Sequence, residues 1–96
     1  MKRYKEQTIS QALKALMQTY GLEGKMQEFQ ITSAWPEVVG SHINKYTSEV
    51  FVNKRKLYVR LNSSVVKNEL NIIKEGLIKA LNEKVGVNVI SDIIFI

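Results

Sequence analysis

Residues 50–61 read Val-Phe-Val-Asn-Lys-Arg-Lys-Leu-Tyr-Val-Arg-Leu, and this stretch decides the fold. It contains two runs in which every second residue is apolar, the spacing of a β-strand with one buried face. The apolar positions are Val50 and Val52 in the first run and Leu57, Val59 and Leu61 in the second. The polar residues 53–56 between the runs form a short connection. The two runs therefore predict a β-hairpin with a strongly basic tip.

The chain before the hairpin begins with a segment of helical spacing. Its apolar side chains are spaced by four, three and four residues, at Ile9, Leu13, Leu16 and Tyr20. This spacing predicts one buried face of a helix. Thr8 or Ser10 is expected to cap its start, and Gly21 suits the left-handed position after its end. Residues 21–24 also match the Gly-x-x-Gly pattern by which KH domains clamp a nucleic-acid backbone, although a helix end followed by a turn explains both glycines.

Two further helical segments are predicted between Gly21 and the hairpin. The first has an apolar face of Leu22, Met26 and Phe29. Because proline is tolerated in the first turn of a helix but not in its interior, Pro36 predicts a break near residues 32–33. A new short helix is expected from about residue 34 to residue 44.

The residues after the hairpin predict one long helix and a last strand. Ser63 or Ser64 can cap the helix, and Gly86 is expected to end it. Its buried stripe is expected to comprise Val66, Leu70, Ile73, Leu77 and Leu81. The last strand is expected within residues 87–96. The predicted class is α+β, with the order α-α-α(short)-β-β-α-β and a three-stranded sheet, the hairpin plus a C-terminal strand, packed against helices on one face.

Composition limits the class of protein further. The chain has 96 residues, no Cys and a net charge of +5, so we expect a single domain over residues 1–96, with residues 1–6 as a mobile basic N-terminal segment. No apolar run approaches the roughly 20 residues that span a bilayer. The basic start leads into no apolar segment of the kind found in signal peptides. We therefore expect a cytoplasmic protein with no disulfide and no membrane contact.

The sequence contains no pattern typical of an enzyme. Its single His, His42, has no carboxylate beside it in the sequence, and its single Asp, Asp92, falls in a predicted strand. Neither a phosphate-binding Walker loop nor a spacing of metal ligands is present. We expect no catalytic residue, no metal ion and no cofactor.

Positive charge is concentrated in residues 45–67, which hold six Lys or Arg side chains and one Glu. Tyr58 and Arg60 are predicted on the strand face opposite the apolar positions, and Phe51 is a further candidate for it. Aromatic rings can stack on unpaired bases while cations hold phosphates. The alternative is an ordinary solvated sheet face. The expected nucleic-acid-binding residues are Lys45, Lys54, Arg55, Lys56, Tyr58, Arg60 and Lys67.

Trp35, the only tryptophan, is the candidate for contact with a protein partner. Its helical spacing with Val38 and Val39 favours a place in the core, so both interpretations stay open. The apolar residues 93–96 could add a contact between two copies of the chain, which makes a homodimer a further possibility.

Several short motifs, in this order and spacing, resemble the DciA-like family over about residues 8–96. Trp35, residues 38–40 and Thr47 are similar to its W-x-x-V-V-G…T block, and residues 57–59 are similar to its L-x-V strand. The remaining matches are Ser63-Ser64 followed by Glu69-Leu70, and Leu81-Asn82 followed by Gly86 and Ile93.

The resemblance implies a KH-like fold and a non-enzymatic role in DNA replication. Members of the family help to place the replicative helicase on DNA, contact helicase and single-stranded DNA, and hydrolyse no nucleotide themselves. Two features depart from the family pattern: Val66 stands where many members have Trp, and the sequence ends at Ile96 where larger members continue into a basic extension.

Two functions therefore remain open from the sequence. The first is a nucleic-acid-binding adaptor that assists loading of the replicative helicase onto single-stranded DNA, with RNA as a second ligand that the sequence does not distinguish. The alternative is a protein–protein interaction module without direct contact to nucleic acid.

Overall fold

The computed structural model describes residues 11–96 in full and only the course of the backbone for residues 2–10. The expectation of a mobile basic segment at residues 1–6 lies outside the fully described part. The elements are, in chain order, α1 Lys2–Thr19, α2 Glu23–Val39, α3 Ser41–Asn44, β1 Thr47–Asn53, β2 Lys56–Leu61, α4 Ser64–Ile72, α5 Lys74–Val85 and β3 Asp92–Phe95. None of the helices in the described residues combines the length and apolarity needed to cross a bilayer.

The three strands form one mixed sheet in the order β1-β2-β3. β1 and β2 are antiparallel, as expected for a hairpin, whereas β2 and β3 are parallel because α4 and α5 connect them. The α+β class, the order of the elements and the three-stranded sheet are thus confirmed. The arrangement is compatible with the KH-like fold that the family resemblance implies.

The helices cover one face of the sheet and form the core with it. Leu57 and Val59 on β2 and Ile93 on β3 are fully buried, as are Ile31 and Trp35 on α2. Burying a side chain of this size contributes roughly 1.5–3 kcal/mol. Because neighbouring residues of a strand point to opposite faces, this inward set leaves the other face of β2 to Tyr58 and Arg60.

The predicted helix break before Pro36 is wrong, because α2 continues through it to Val39. Proline removes the hydrogen bond to the carbonyl of residue 32, but its own carbonyl accepts a bond from the N–H of Gly40 at 2.9 Å. Ile31, Ala34 and Trp35 are buried on this helix. Their packing against the sheet outweighs the lost bond, so the break falls at Gly40, whose φ of 88° few other residues adopt.

From residue 11 onward, where side chains are described, the apolar face predicted for the first helix is not buried. Leu13 is 52% exposed and Leu16 is 51% exposed, and Tyr20 is also on the surface. The helix itself is present as its spacing predicted. Gly21 follows its end with a φ of 69°, the left-handed backbone that was predicted there. Thr8 and Ser10 lie within α1 rather than at its start.

The long helix predicted after the hairpin is divided into α4 and α5 at Ile73. Ser63 caps its start as predicted, since its hydroxyl accepts the N–H of Val66 at 3.2 Å. Ile73 has φ −104° and ψ 18° and donates to the carbonyl of Leu70, a tight turn that closes α4. Ile73 is consequently exposed, whereas the rest of the predicted stripe is buried.

The last strand is shorter than predicted, because residues 86–91 form a loop around the buried side chain of Asn82. The Asn82 amide donates to the carbonyl of Ile90 at 2.9 Å. Its oxygen accepts the N–H groups of Val89 at 2.9 Å and Ile90 at 3.1 Å. One side chain from α5 therefore satisfies three backbone groups of the loop and allows Val89 and Ile90 to be buried without a strand.

Candidate nucleic-acid interface

The hairpin turn consists of only two residues, Lys54 and Arg55, with φ of 50° and 65°. Positive φ at both positions is the requirement of a type I′ turn, which matches the twist of the flanking strands. Asn-Gly is the preferred pair there, so the two cations occupy the turn against their backbone preference. The turn places Asn53 opposite Lys56, and this register determines the pairs of the hairpin as far as Glu49 and Arg60.

The side chain of Arg55 is directed to the loop that Asn82 organises. Its Nε donates to the carbonyl of Val89 at 3.4 Å and its Nη2 to that of Asn88 at 3.2 Å. The carbonyl of Arg55 accepts the backbone N–H of Ser91 at 2.8 Å. These bonds compensate the left-handed backbone of Arg55 and give its guanidinium a structural role at the edge of the tip.

Two aromatic rings lie together on the open face of the sheet. Phe51 and Tyr58 are cross-strand partners, and their rings stack with centroids 5.0 Å apart and planes within 6°. Phe51 is exposed and Tyr58 half-buried, and Ile94 of β3 pairs with Tyr58 on the other side. The predicted placement of Phe51 beside Tyr58 is confirmed. The pair offers a flat aromatic surface on the sheet face opposite the buried side chains of Leu57 and Val59.

Arg60 lies one pair further along the same face and forms an ion pair with Glu49. Its Nε donates to Glu49 Oε1 at 3.1 Å, and both side chains are about half exposed. Beyond this pair a β-bulge at Ser48 changes the register, so that Thr47 rather than Ser48 lies opposite Leu61. The bulge lets Thr47 face the core while Glu49 stays on the open face.

The other predicted cations are distributed along the sheet. Lys54 and Lys56 are exposed at the hairpin end. Lys45 and Lys67 flank the opposite end, about 20 Å away for a strand of this length. Lys45 is exposed, with its ammonium 5.7 Å from the centroid of the Tyr46 ring. Tyr58 and Arg60 lie between the two ends and Lys67 belongs to α4, so the structure does not gather the predicted residues at one point.

Asp92 reduces the positive field at the hairpin end of β3. It pairs in register with Lys56, and its Oδ1 lies 3.3 Å from the ammonium of Lys74. Burial by itself raises the pKa of Asp92, but the N–H of Ile93 and the charge of Lys74 outweigh it, so the pKa lies below its ordinary value. Asp92 is therefore a carboxylate at neutral pH.

Trp35 belongs to the core. Its ring is fully buried and packs against Phe95 with centroids 6.3 Å apart, and its indole N–H donates to Thr47 Oγ1 at 3.1 Å. This agrees with the core interpretation of the sequence and leaves no ring surface for a partner to contact. Trp35 is therefore no part of the surface proposed below.

The described residues hold no group of three or more His, Cys, Asp or Glu side chains arranged to bind a metal ion. His42 is exposed, with its ring edge-on to Tyr46 at 6.1 Å between centroids. None of the carboxylates in the described part of the chain forms an ion pair with His42.

Comparison with known proteins agrees with the motifs quoted from the sequence. A family model described as "Dna[CI] antecedent, DciA" matches residues 8–95. The chain belongs to the DciA family. Membership of the DciA family associates the chain with DNA replication.

A curated relative gives weaker support for the DciA assignment. It is a protein described as UPF0232 protein from Corynebacterium glutamicum (strain R), 29% identical over 63 residues. The match covers 66% of this chain and 35% of the relative, so the chain spans about a third of that protein's length.

Two features of the site were missed by reasoning from the sequence. Glu49 was not recognised as the partner of Arg60, although counting outward from a two-residue turn places the two opposite each other. The anchoring of Arg55 by the loop after α5 depends on Asn82, whose burial no local pattern indicates.

Proposed function

We propose that the open sheet face and the hairpin tip bind single-stranded nucleic acid, and that the chain acts as a non-enzymatic adaptor with the replicative helicase as protein partner. The observation that carries the proposal is the Phe51–Tyr58 ring stack on the sheet face opposite the core, with exposed cations at the hairpin end. Family membership supports the replication context.

The ring stack favours a single strand over a duplex. The rings are already in contact at 5.0 Å, so a base adds to the outside of the pair rather than between the rings. Stacking of this kind contributes about 1–3 kcal/mol per base and needs bases that are free of their partners. In a duplex the flat faces of the bases are already stacked on one another.

The cations supply the phosphate contacts. Lys54 and Lys56 are exposed at the tip, and Arg60 lies beside Tyr58 on the open face. Three phosphate contacts on a single strand give a slope of about −2 for log K against log salt. Affinity should then fall roughly 16-fold between 50 and 200 mM salt.

The experiment is fluorescence anisotropy with a labelled oligo-dT at several salt concentrations. The double variant Lys54→Gln/Lys56→Gln should reduce the salt slope by about 1.4, since two contacts are lost. Arg55 is left unchanged because its guanidinium bonds the 88–89 carbonyls. The matched control is Lys14→Gln/Lys79→Gln, which removes the same charge from two exposed helical positions away from the sheet.

The outcomes separate a specific face from general attraction to a basic protein. Equal losses in the test and control variants would mean that net charge alone drives binding. Absence of binding at 50 mM salt would refute the nucleic-acid part of the proposal. An oligo-U of equal length in the same assay distinguishes a preference for DNA from one for RNA.

A protein-interaction module without nucleic-acid contact is the second candidate. It is favoured by the exposed apolar stripe formed by Leu13 and Leu16 on α1 and by Tyr20 in the turn after it. Retention of purified replicative helicase after nuclease treatment, together with absence of oligonucleotide binding, would favour this candidate over the first.

A further inference from the structure

We infer that Glu49 competes with a nucleic-acid strand for the guanidinium of Arg60 and so lowers the affinity of the open face for phosphate. The inference rests on the proposed function and adds an internal competitor to it. Glu49 thus sets the affinity of the open face through Arg60. It is a positioning residue that need not touch the ligand.

The geometry of the pair supports exchange rather than permanent locking. The Glu49 carboxylate is bonded by the Arg60 Nε at 3.1 Å, and the two terminal nitrogens of Arg60 make no hydrogen bond to the described part of the chain. A guanidinium binds a carboxylate and a phosphate through the same fork of N–H groups. The half-exposed contact is therefore one that a phosphate oxygen can replace.

The backbone register of the hairpin holds Glu49 opposite Arg60. The two-residue turn places Glu49 opposite Arg60, and neighbouring Phe51 and Tyr58 occupy the next pair on the same face. At the other side of Glu49, the bulge at Ser48 separates it from the inward-facing Thr47. Cross-strand pairs of opposite charge lie about 5 Å apart at Cβ, so the contact forms without a change of backbone.

The free energy of the Glu49–Arg60 ion pair limits how much Glu49 can lower the affinity for nucleic acid. An exposed ion pair contributes 0.2–1 kcal/mol, which corresponds to a cost of up to about fivefold in the affinity of a competing anion. Glu49→Gln should therefore bind a labelled oligo-dT about 1.4- to fivefold more tightly than the wild type at low salt. Its salt slope should stay close to that of the wild type, because Arg60 contacts one phosphate in both proteins and only the competition from Glu49 differs.

The test is a double-mutant cycle on the full chain, with anisotropy as the readout. Arg60→Gln and Glu49→Gln/Arg60→Gln should bind with equal affinity, because Glu49 acts only through Arg60. The matched control is Glu69→Gln, an exposed glutamate on α4 without an ion pair to the described residues. It should leave both affinity and salt slope close to those of the wild type.

Each outcome decides the inference. Tighter binding by Glu49→Gln that persists when Arg60 is replaced would show simple repulsion of phosphate and overturn it. If the wild type binds and Glu49→Gln changes its affinity no more than Glu69→Gln does, the inference is overturned. The proposed function then remains intact. Absence of binding by the wild type and by every variant would remove the proposed function, and the inference with it.

Discussion

Replacement of Asn82 by alanine should destabilise the domain severely. The amide makes three hydrogen bonds to the backbone of the loop after α5 and is buried. Without it the N–H groups of Val89 and Ile90 and the carbonyl of Ile90 lose their partners. A buried polar group left unpaired costs about 1–3 kcal/mol.

The expected loss is about 3–5 kcal/mol, because the partly open loop admits water to some of these groups. A domain of this size has a total stability of about 5–15 kcal/mol, so the loss is a large fraction of it. The consequence extends to the hairpin tip, since the carbonyls of Asn88 and Val89 hold the guanidinium of Arg55.

Urea unfolding followed by the fluorescence of the buried Trp35 measures the effect directly. The matched control is Asn88→Ala in the same loop, whose exposed side chain makes no hydrogen bond within the described residues. It should change the free energy of unfolding by less than about 0.5 kcal/mol. A loss below about 1 kcal/mol for Asn82→Ala, or one no larger than that of the control, would refute the assigned role of the amide.

Two further predictions concern the hairpin end of the sheet. Lys54→Asn should raise the free energy of unfolding by about 0.5–1 kcal/mol, because Asn accepts the left-handed backbone of this turn. The same change should weaken oligo-dT binding, because one cation is lost. Stability and affinity that both rise or both fall, measured by urea unfolding and anisotropy, would contradict this prediction. Asp92 has a lowered pKa in the folded chain, so its stabilising effect is present above its ordinary pKa of 3.8 and is lost as the pH falls through the folded-state value. The wild type should therefore exceed Asp92→Asn in stability by under about 1 kcal/mol at pH 7, and urea unfolding at about pH 3 should show a smaller difference.

The hairpin was predictable because its signal is local. The alternation of Leu57, Val59 and Leu61 with Tyr58 and Arg60 determines which side chains face the helices, and a short polar connection permits only an antiparallel partner. The two faces of the sheet, and with them the candidate site, follow from this pattern.

The helix boundaries were less predictable because tertiary packing determines them. Pro36 weakens α2 locally, but the burial of Ile31 and Trp35 keeps the helix continuous. At Ile73 the helix is interrupted although the spacing is helical. This apolar residue lies at the junction of α4 and α5 and is exposed. Periodicity alone does not distinguish these two cases.

The exposed stripe of α1 shows a second limit of periodicity. Spacing identifies an apolar helix face but not the surface that covers it. Leu13 and Leu16 satisfy the pattern as well as the buried residues of α5 do, yet both are half exposed.

The most direct test of the proposed nucleic-acid face is the removal of one aromatic ring from it. Tyr58→Ser and the matched control Tyr20→Ser each delete one tyrosine ring, the first from the open sheet face and the second from the exposed turn after α1. With oligo-dT at 50 mM salt, Tyr58→Ser should bind at least about fivefold more weakly than the wild type, because stacking on a base contributes about 1–3 kcal/mol. Tyr20→Ser should bind like the wild type. Equal affinities for the two variants would contradict a stacking surface on this sheet.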